Sequence, residues 1–240
     1  MTGVLPARLV APAKLTLGLR VLGRRSDGFH VIDAEMVSLD LSDTVELDVG
    51  RGTTYVGPFA PRDGMGDQDL VQRALDAAHR VASAVITKRI PAGAGLGGGS
   101  SDAAAVLRWA GVEDLELAAG LGADVAFCLV GGRARVTGIG ERVEALAHVP
   151  CTFTLLTPAI HCSTAEVYRR WDELGGPSDV GGNDLLPAAL SVAPGMADAR
   201  DALREASGIE PRLAGSGSTW FVEGSFAGPS MVVARTVDPR

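Results

Sequence analysis

The stretch "IPAGAGLGGGSSDAAAVLRWAG", residues 90–111, runs Gly, Leu, Gly, Gly, Gly from position 95, then two serines, an aspartate and three alanines. Glycine tolerates positive φ and lets backbone approach a ligand closely, whereas alanine is the strongest helix former. A glycine loop feeding a helix presents the unpaired N–H groups of the first turn at the positive end of the helix dipole. That combination binds anions, phosphate above all. The same residues would also make a tight strand-to-helix turn without a ligand. No Gly-Lys-Ser/Thr closes the loop, so it is not a P-loop. Pro91 separates the preceding strand from the glycines and no acidic residue follows in the next strand, so it is a poor dinucleotide fingerprint.

Working outward, "AVITKRI" ahead of the loop reads as a strand, and Asp69–Ser83 has helical spacing with Asp67 or Asp69 as cap. Leu15, Leu17, Leu19 and Val21 alternate, which predicts a half-buried strand over 8–22. Residues 23–29 are turn-rich, 37–49 read as strand, turn, strand, and 50–67 as a loop. The segment 112–132 predicts a short helix, a turn and a buried segment, and "RARVTGIGERVEAL" a hairpin. A boundary falls near 148–151. Beyond it come a strand ("TFTLLTP"), a capped helix ("CSTAEVYRRWDEL"), helices in "LLPAALSV" and "MADARDALREAS", and a strand, glycine turn and strand in "EPRLAGSGSTWFVEG". The expectation is an α+β protein in two domains, 1–149 and 150–240.

The 240 residues are long enough for a sizeable core, and 46% hydrophobic with 21% charged residues is ordinary for a globular chain. A net charge of −7 argues against a nucleic-acid surface, though not against a local anion pocket. No apolar run reaches membrane-spanning length and the first ten residues lack a signal-peptide pattern, so a cytoplasmic protein is expected. Cys128, Cys151 and Cys162 are odd in number and lack a C-x-x-C pair, so they read as core or semi-buried thiols.

"PAGAGLGGGSSDAAA" resembles the second motif of the galactokinase, homoserine, mevalonate and phosphomevalonate (GHMP) kinases. Three further stretches resemble motifs of one family within that group, the 4-diphosphocytidyl-2-C-methyl-D-erythritol kinases. They are "APAKLTLGLRVLGRRSDGFH" (11–30), "LGADVAFCLVGGRARVTGIGE" (121–141) and "LAGSGSTWFVE" (213–223); "CSTAEVY" and "GGNDLLPAAL" also fall in matching places. The resemblance implies an N-terminal domain like domain 2 of ribosomal protein S5 and a ferredoxin-like C-terminal domain, the GHMP kinase fold. It implies transfer of the γ-phosphate of ATP to the 2-hydroxyl of a cytidine-diphosphate-linked methylerythritol, in non-mevalonate isoprenoid synthesis.

Carried onto this sequence, the resemblance gives Lys14 and Asp124 catalytic places: Asp124 takes or orients the hydroxyl proton, and Lys14 keeps Asp124 ionised. Alone, Asp124 reads as a helix cap and Lys14 as a solvated strand residue. Pro91, Gly93, Gly95, Leu96, Gly97, Gly98, Gly99, Ser100 and Ser101 would cradle ATP. Thr16, Phe29, His30, Thr164 and Tyr168 would meet the acceptor, with Phe29 and Tyr168 on opposite faces of its base; alone, the aromatics read as core packing. "GSGST", 215–219, would close the phosphate site or support its loop. Mg²⁺ is implied as the partner of ATP, held mainly through phosphates, because no Asp, Glu or His cluster has ligand spacing. The expected partner is a small molecule, with no nucleic acid and no membrane, and the chain is expected as a monomer or weak homodimer.

Thr16 stands where the family usually has Asn, Phe29 where it has Tyr, and the stretches 51–69 and 111–121 are short for the family. Two other readings stay open beside the first. One is a GHMP-type small-molecule kinase with shifted acceptor specificity, and the other a nucleotide-binding protein on this fold without turnover.

Overall fold

The structure, a computed structural model, describes residues 3–61, 66 and 69–238. Two long strands, β1 (Ala7–Arg24) and β2 (His30–Asp48), form an antiparallel hairpin along their whole length, joined by the predicted turn. The other edge of β2 takes β5 (Arg133–Gly138) near its start and β4 (Ser83–Thr87) near its end. β3 (Gly52–Val56) lies parallel to β4, and β6 (Arg142–Leu146) completes the sheet beside β5 as the predicted hairpin. A second, antiparallel sheet is ordered β10 (Met231–Arg235), β7 (Thr152–Leu156), β9 (Trp220–Glu223) and β8 (Arg212–Leu213).

Helices α1 (Leu70–Ala77), α2 (Gly98–Ala110), α3 (Leu115–Leu121) and α4 (Val125–Val130) belong with the first sheet. Helices α5 (Thr164–Glu173), α6 (Leu186–Val192) and α7 (Met196–Ser207) follow β7. Asp69 caps α1, its carboxylate accepting from the Val71 and Gln72 N–H groups at 3.0 Å; the other cap candidate, Asp67, lies outside the described residues. α2 is packed by small residues: Ala103, Ala104 and Ala105 are all buried, which lets its axis come close to β1. The cysteines are unbridged, with Cys128 and Cys162 buried and Cys151 half-buried.

Three segments differ from expectation. β2 runs unbroken where 37–49 predicted a turn, because Asp43 is fully buried and its carboxylate is satisfied by Lys88, Arg89 and Ile90 in the segment that follows β4. β3 forms where a loop was expected. It is held by β4 and by Asp69, which accepts from the Tyr55 hydroxyl at 2.8 Å and from Thr53. β10 forms near the C-terminus, outside every predicted element, and the chain then returns to the first sheet, where the Val237 N–H donates to the Ser38 carbonyl.

Residues 13–16 of β1 are buried in succession instead of alternating. Ala13 and Leu15 enter a small core with Phe153, Leu155 and Phe221 of the second sheet. The opposite face, bearing Lys14 and Thr16, looks into a cavity. Register shifts between Pro12 and Lys14, and between Thr16 and Gly18, flank this part of the ladder, where Lys14 to Thr16 stay paired with β2, and the Lys14 N–H donates to the Leu96 carbonyl at 3.0 Å. Bulges re-aim side chains in this way at functional sites.

Candidate functional site

Gly97 sits in the left-handed region at φ 66° and caps α2 without a side-chain bond. The N–H groups of Gly98, Gly99 and Ser100 therefore have no intrahelical acceptor and form the cradle that the sequence suggested. These residues, with Pro91, Gly93, Gly95 and Gly97, line a cavity of about 320 Å³ that extends to Tyr55, Phe59 and Leu70.

Two members of the expected cradle fall elsewhere. The Ser101 hydroxyl donates to the Pro12 carbonyl at 2.6 Å and its N–H to Gly97, so it fastens α2 to β1 and has nothing left for a phosphate. Leu96 is buried in the smaller core, its carbonyl engaged by Lys14, and it does not line the cradle. Asp102, which sequence position suggested as a partner of the helix dipole, is buried against Lys88 at 2.5 Å.

Lys14 is 5% exposed, and its ammonium reaches the Asp124 carboxylate at 3.3 Å and donates to the Thr16 hydroxyl at 3.2 Å. Asp124 occupies the cap position of α4, yet its side chain makes no capping bond, which leaves it to Lys14. A second cavity, about 500 Å³, is lined by Lys14, Thr16, Phe29, His30, Asp124 and Tyr168. The two cavities share Gly95, Asp124 and Thr164. A carboxylate paired with a buried ammonium thus stands where the glycine-lined pocket meets a larger one.

The "GSGST" turn packs on the glycine loop. The Thr219 N–H donates to the Ala94 carbonyl at 3.2 Å, and a Cβ on Gly95 would lie 2.6 Å from the Ala214 carbonyl oxygen. The start of α5 is tied to the same turn, with Thr164 and Ser216 hydroxyls 2.9 Å apart and the Cys162 thiol 3.2 Å from the Ser216 carbonyl. Asn183 braces it from behind. Its amide donates to the carbonyls of Leu213 and Gly215 at 2.9 and 2.8 Å.

At the far end of the larger cavity Phe29 is 59% exposed. His30 stacks on Tyr168, rings 4.7 Å apart at 28°, and its Nε2 lies 2.8 Å from the Asp172 carboxylate, which also meets Arg24 at 3.3 Å. His30 thus covers one face of the Tyr168 ring, and both Phe29 and Tyr168 line the cavity. Burial, and then the negative charge of Asp124, push the Tyr168 phenol above its ordinary value, so it stays neutral. Asp172, Arg24, Lys88 and Asp43 escaped sequence reasoning, since none lies in a glycine motif and each acts through a residue distant in sequence. Among the described residues no group of three His, Cys, Asp or Glu side chains could hold a metal ion.

Residues 69–132 match the model of the GHMP kinases N terminal domain. The 4-diphosphocytidyl-2-C-methyl-D-erythritol kinase of Paracoccus denitrificans is 38% identical over 234 residues, covering 89% of this chain and 85% of its own. The chain belongs to this kinase family. The same-named protein of Ruegeria pomeroyi is 35% identical over 88% of this chain and 86% of its own. A crystal structure of 4-(cytidine 5'-diphospho)-2C-methyl-D-erythritol kinase superposes with a TM-score of 0.70 at 33% identity, over 90% of this chain and 89% of that one. A mevalonate kinase of Methanococcus jannaschii, at 11% identity, shares the fold with a TM-score of 0.60 over 97% of this chain and 99% of its own. The two-domain α+β architecture of the GHMP kinases is thus the fold of this family member. No helix among the described residues is long and apolar enough to cross a membrane.

Proposed function

We propose that this chain transfers the γ-phosphate of ATP to the 2-hydroxyl of 4-diphosphocytidyl-2-C-methyl-D-erythritol, the substrate named for its relatives. The observation that carries the reading is the junction: Asp124 belongs to both cavities and pairs with Lys14 at 3.3 Å. ATP lies with its polyphosphate on the N–H groups of Gly98, Gly99 and Ser100, supported by Gly93, Gly95 and Gly97, and its base toward Tyr55, Phe59 and Pro91. The acceptor fills the larger cavity. Its hydroxyl meets Asp124, which takes or orients the proton, while Lys14 holds that carboxylate in place. Phosphoryl transfer needs chiefly positioning and charge neutralisation, and donors fixed on a helix start and a bulged strand supply the first.

The cradle donors are N–H groups and one hydroxyl, a set suited to an anion and not to a bare cation, so Mg²⁺ would be held through the phosphates of ATP. When bound it supplies neutralisation of the phosphate oxygens. At the base end, Asp172 orients His30 by its Nε2, and Phe29 offers an exposed face for stacking. Thr16, whose hydroxyl already accepts from Lys14, stabilises the ammonium in the place where relatives carry an amide. The reading takes 1–149 as the domain bearing cradle and catalytic pair and 150–240 as the one that braces the loop. It takes the enzyme as cytoplasmic, monomeric or weakly dimeric.

The test is ADP release with Mg²⁺-ATP and, in turn, the cytidine-linked methylerythritol, homoserine, mevalonate, galactose or no acceptor. Turnover confined to the cytidine compound, and lost in Asp124→Asn while ATP binding persists, is the expected result. Turnover on another acceptor overturns the substrate; an active Asp124→Asn overturns the assignment of Asp124.

A further inference from the structure

Beneath the glycine loop lies a buried charge cluster that the transfer chemistry does not touch. Asp43 of β2, Lys88 after β4 and Asp102 of α2 are 0%, 6% and 1% exposed. The Lys88 ammonium donates to both carboxylates, to Asp102 at 2.5 Å and to Asp43. The other oxygen of Asp43 accepts from the N–H groups of Arg89 and Ile90 at 2.5 and 2.8 Å, where the chain enters the loop. Asp102 lies one turn into the helix by which the chain leaves it. Both ends of the loop are therefore fastened to one ammonium.

The cluster also sits against the cradle. A Cβ on Gly98, the first residue of α2, would lie 3.3 Å from the bonded oxygen of Asp43. Lys88 and Asp102 themselves line the cradle cavity, and the second oxygen of Asp102 is buried without a hydrogen-bond partner. A carboxylate at a helix N-terminus would ordinarily be favourable, but here it competes for the same dipole with an incoming polyphosphate. Two acids and one base leave at most one negative charge behind the cradle; without the base there would be up to two, in a place screened from water.

We propose that Lys88 is a positioning residue for nucleotide binding: it clamps the two ends of the glycine loop and cancels the Asp43 carboxylate beneath the first residue of α2, so that a polyphosphate can approach. The proposal rests on the reading that ATP occupies the cradle. It predicts a loss of ATP affinity in one variant and no loss in the other, a pattern that mere structural damage would not reproduce. Lys88→Met removes the positive charge, and Asp43→Asn removes a negative one while its amide oxygen still accepts from Arg89 and Ile90.

The experiment measures the KM of Mg²⁺-ATP and of the acceptor, kcat, and Kd for Mg²⁺-ATP by calorimetry, at pH 8. Lys88→Met is expected to raise KM and Kd for ATP by roughly tenfold or more, with acceptor KM within about threefold, because a buried carboxylate loses its partner. Asp43→Asn is expected to leave ATP affinity unchanged or to tighten it, and Lys88→Met with Asp43→Asn to recover most of the loss. Weaker ATP binding in Asp43→Asn by more than about threefold, or no recovery in the double variant, overturns the proposal. If Lys88→Met does not fold, Asp43→Asn alone decides it: weaker ATP binding by more than about threefold overturns the proposal, and unchanged or tighter binding supports it. Failure of the unaltered enzyme to bind Mg²⁺-ATP would overturn the nucleotide assignment itself, and the two failures are read from different proteins.

Discussion

Replacing Gly95 by alanine separates backbone strain from the contact that holds the glycine loop. Gly95 has φ 77°, in the left-handed region, and an added Cβ would stand 2.6 Å from the Ala214 carbonyl oxygen and 2.8 Å from that of Gly217. The conformational part costs about 1–2 kcal/mol. The contact part cannot relax by a side-chain rotation, since both opposing atoms are backbone. Reaching an ordinary separation of 3.4 Å requires the loop or the "GSGST" turn to retreat by about 0.8 Å. Reacting groups displaced by about 1 Å lose roughly 10²-fold in rate.

Gly52 supplies the control. It has φ 91°, yet an added Cβ would meet nothing within 4 Å. Gly52→Ala should carry the strain alone, lowering the melting temperature by about 2–8 °C for a chain of this length, with kcat/KM unchanged. Gly95→Ala should melt at least as early and lose about 10²-fold in kcat/KM. Steady-state ADP release and a thermal melt on both variants make the comparison. If Gly95→Ala kept kcat/KM within about threefold of Gly52→Ala, the loop would not depend on its contact with the second sheet's turn, and the reasoning would fail.

Other expectations concern the acceptor end and the buried charges. Phe29→Ala should raise KM for the cytidine-linked acceptor by roughly tenfold, as expected for one lost base–aromatic contact, with ATP unaffected; equal weakening of both would return Phe29 to general packing. Asp172→Ala should release His30 and raise the acceptor KM while kcat falls less. A loss confined to kcat would mean that His30 is held by its stacking on Tyr168 instead. Burial, opposed by Lys88 and reinforced by the facing Asp43 carboxylate, pushes Asp102 up to about 7. The folded state then holds a proton that the unfolded state releases near 4, so this group's contribution to stability falls as pH rises from about 4 to about 7 and is flat above. Denaturant midpoints of Asp102→Asn should lack that slope; an unchanged slope would place the proton elsewhere. Asn183→Ala should destabilise by about 1–3 kcal/mol, because two buried carbonyls behind the glycine turn lose their donor, as read from the melt.

Much of the site was legible along the chain. The cradle needs only contiguous residues, since glycine freedom and the helix start are local properties: Gly93, Gly95 and Gly97 to Ser100 line one cavity, while Leu96 among them turns into the core. Lys14 and Asp124 came only from the resemblance to the family's motifs, and they meet at 3.3 Å. The assignments that changed depend on which face a residue turns to a distant neighbour. Ser101 stands one position past Ser100, yet the helical rotation sends its hydroxyl to Pro12, 89 positions away. His30 gives its ring to Tyr168 and Asp172, the latter 142 positions away. Asp43 falls in a stretch read as strand, turn, strand, and nothing local announces that Lys88, 45 positions on, neutralises it inside a continuous strand. Residue type and local spacing carry backbone conformation and the presence of a site. The pairing of buried charges and the direction of each side chain were decided only by packing the hairpin, the helix and the second sheet together, because a buried charge is stable only beside a partner that the tertiary fold brings to it.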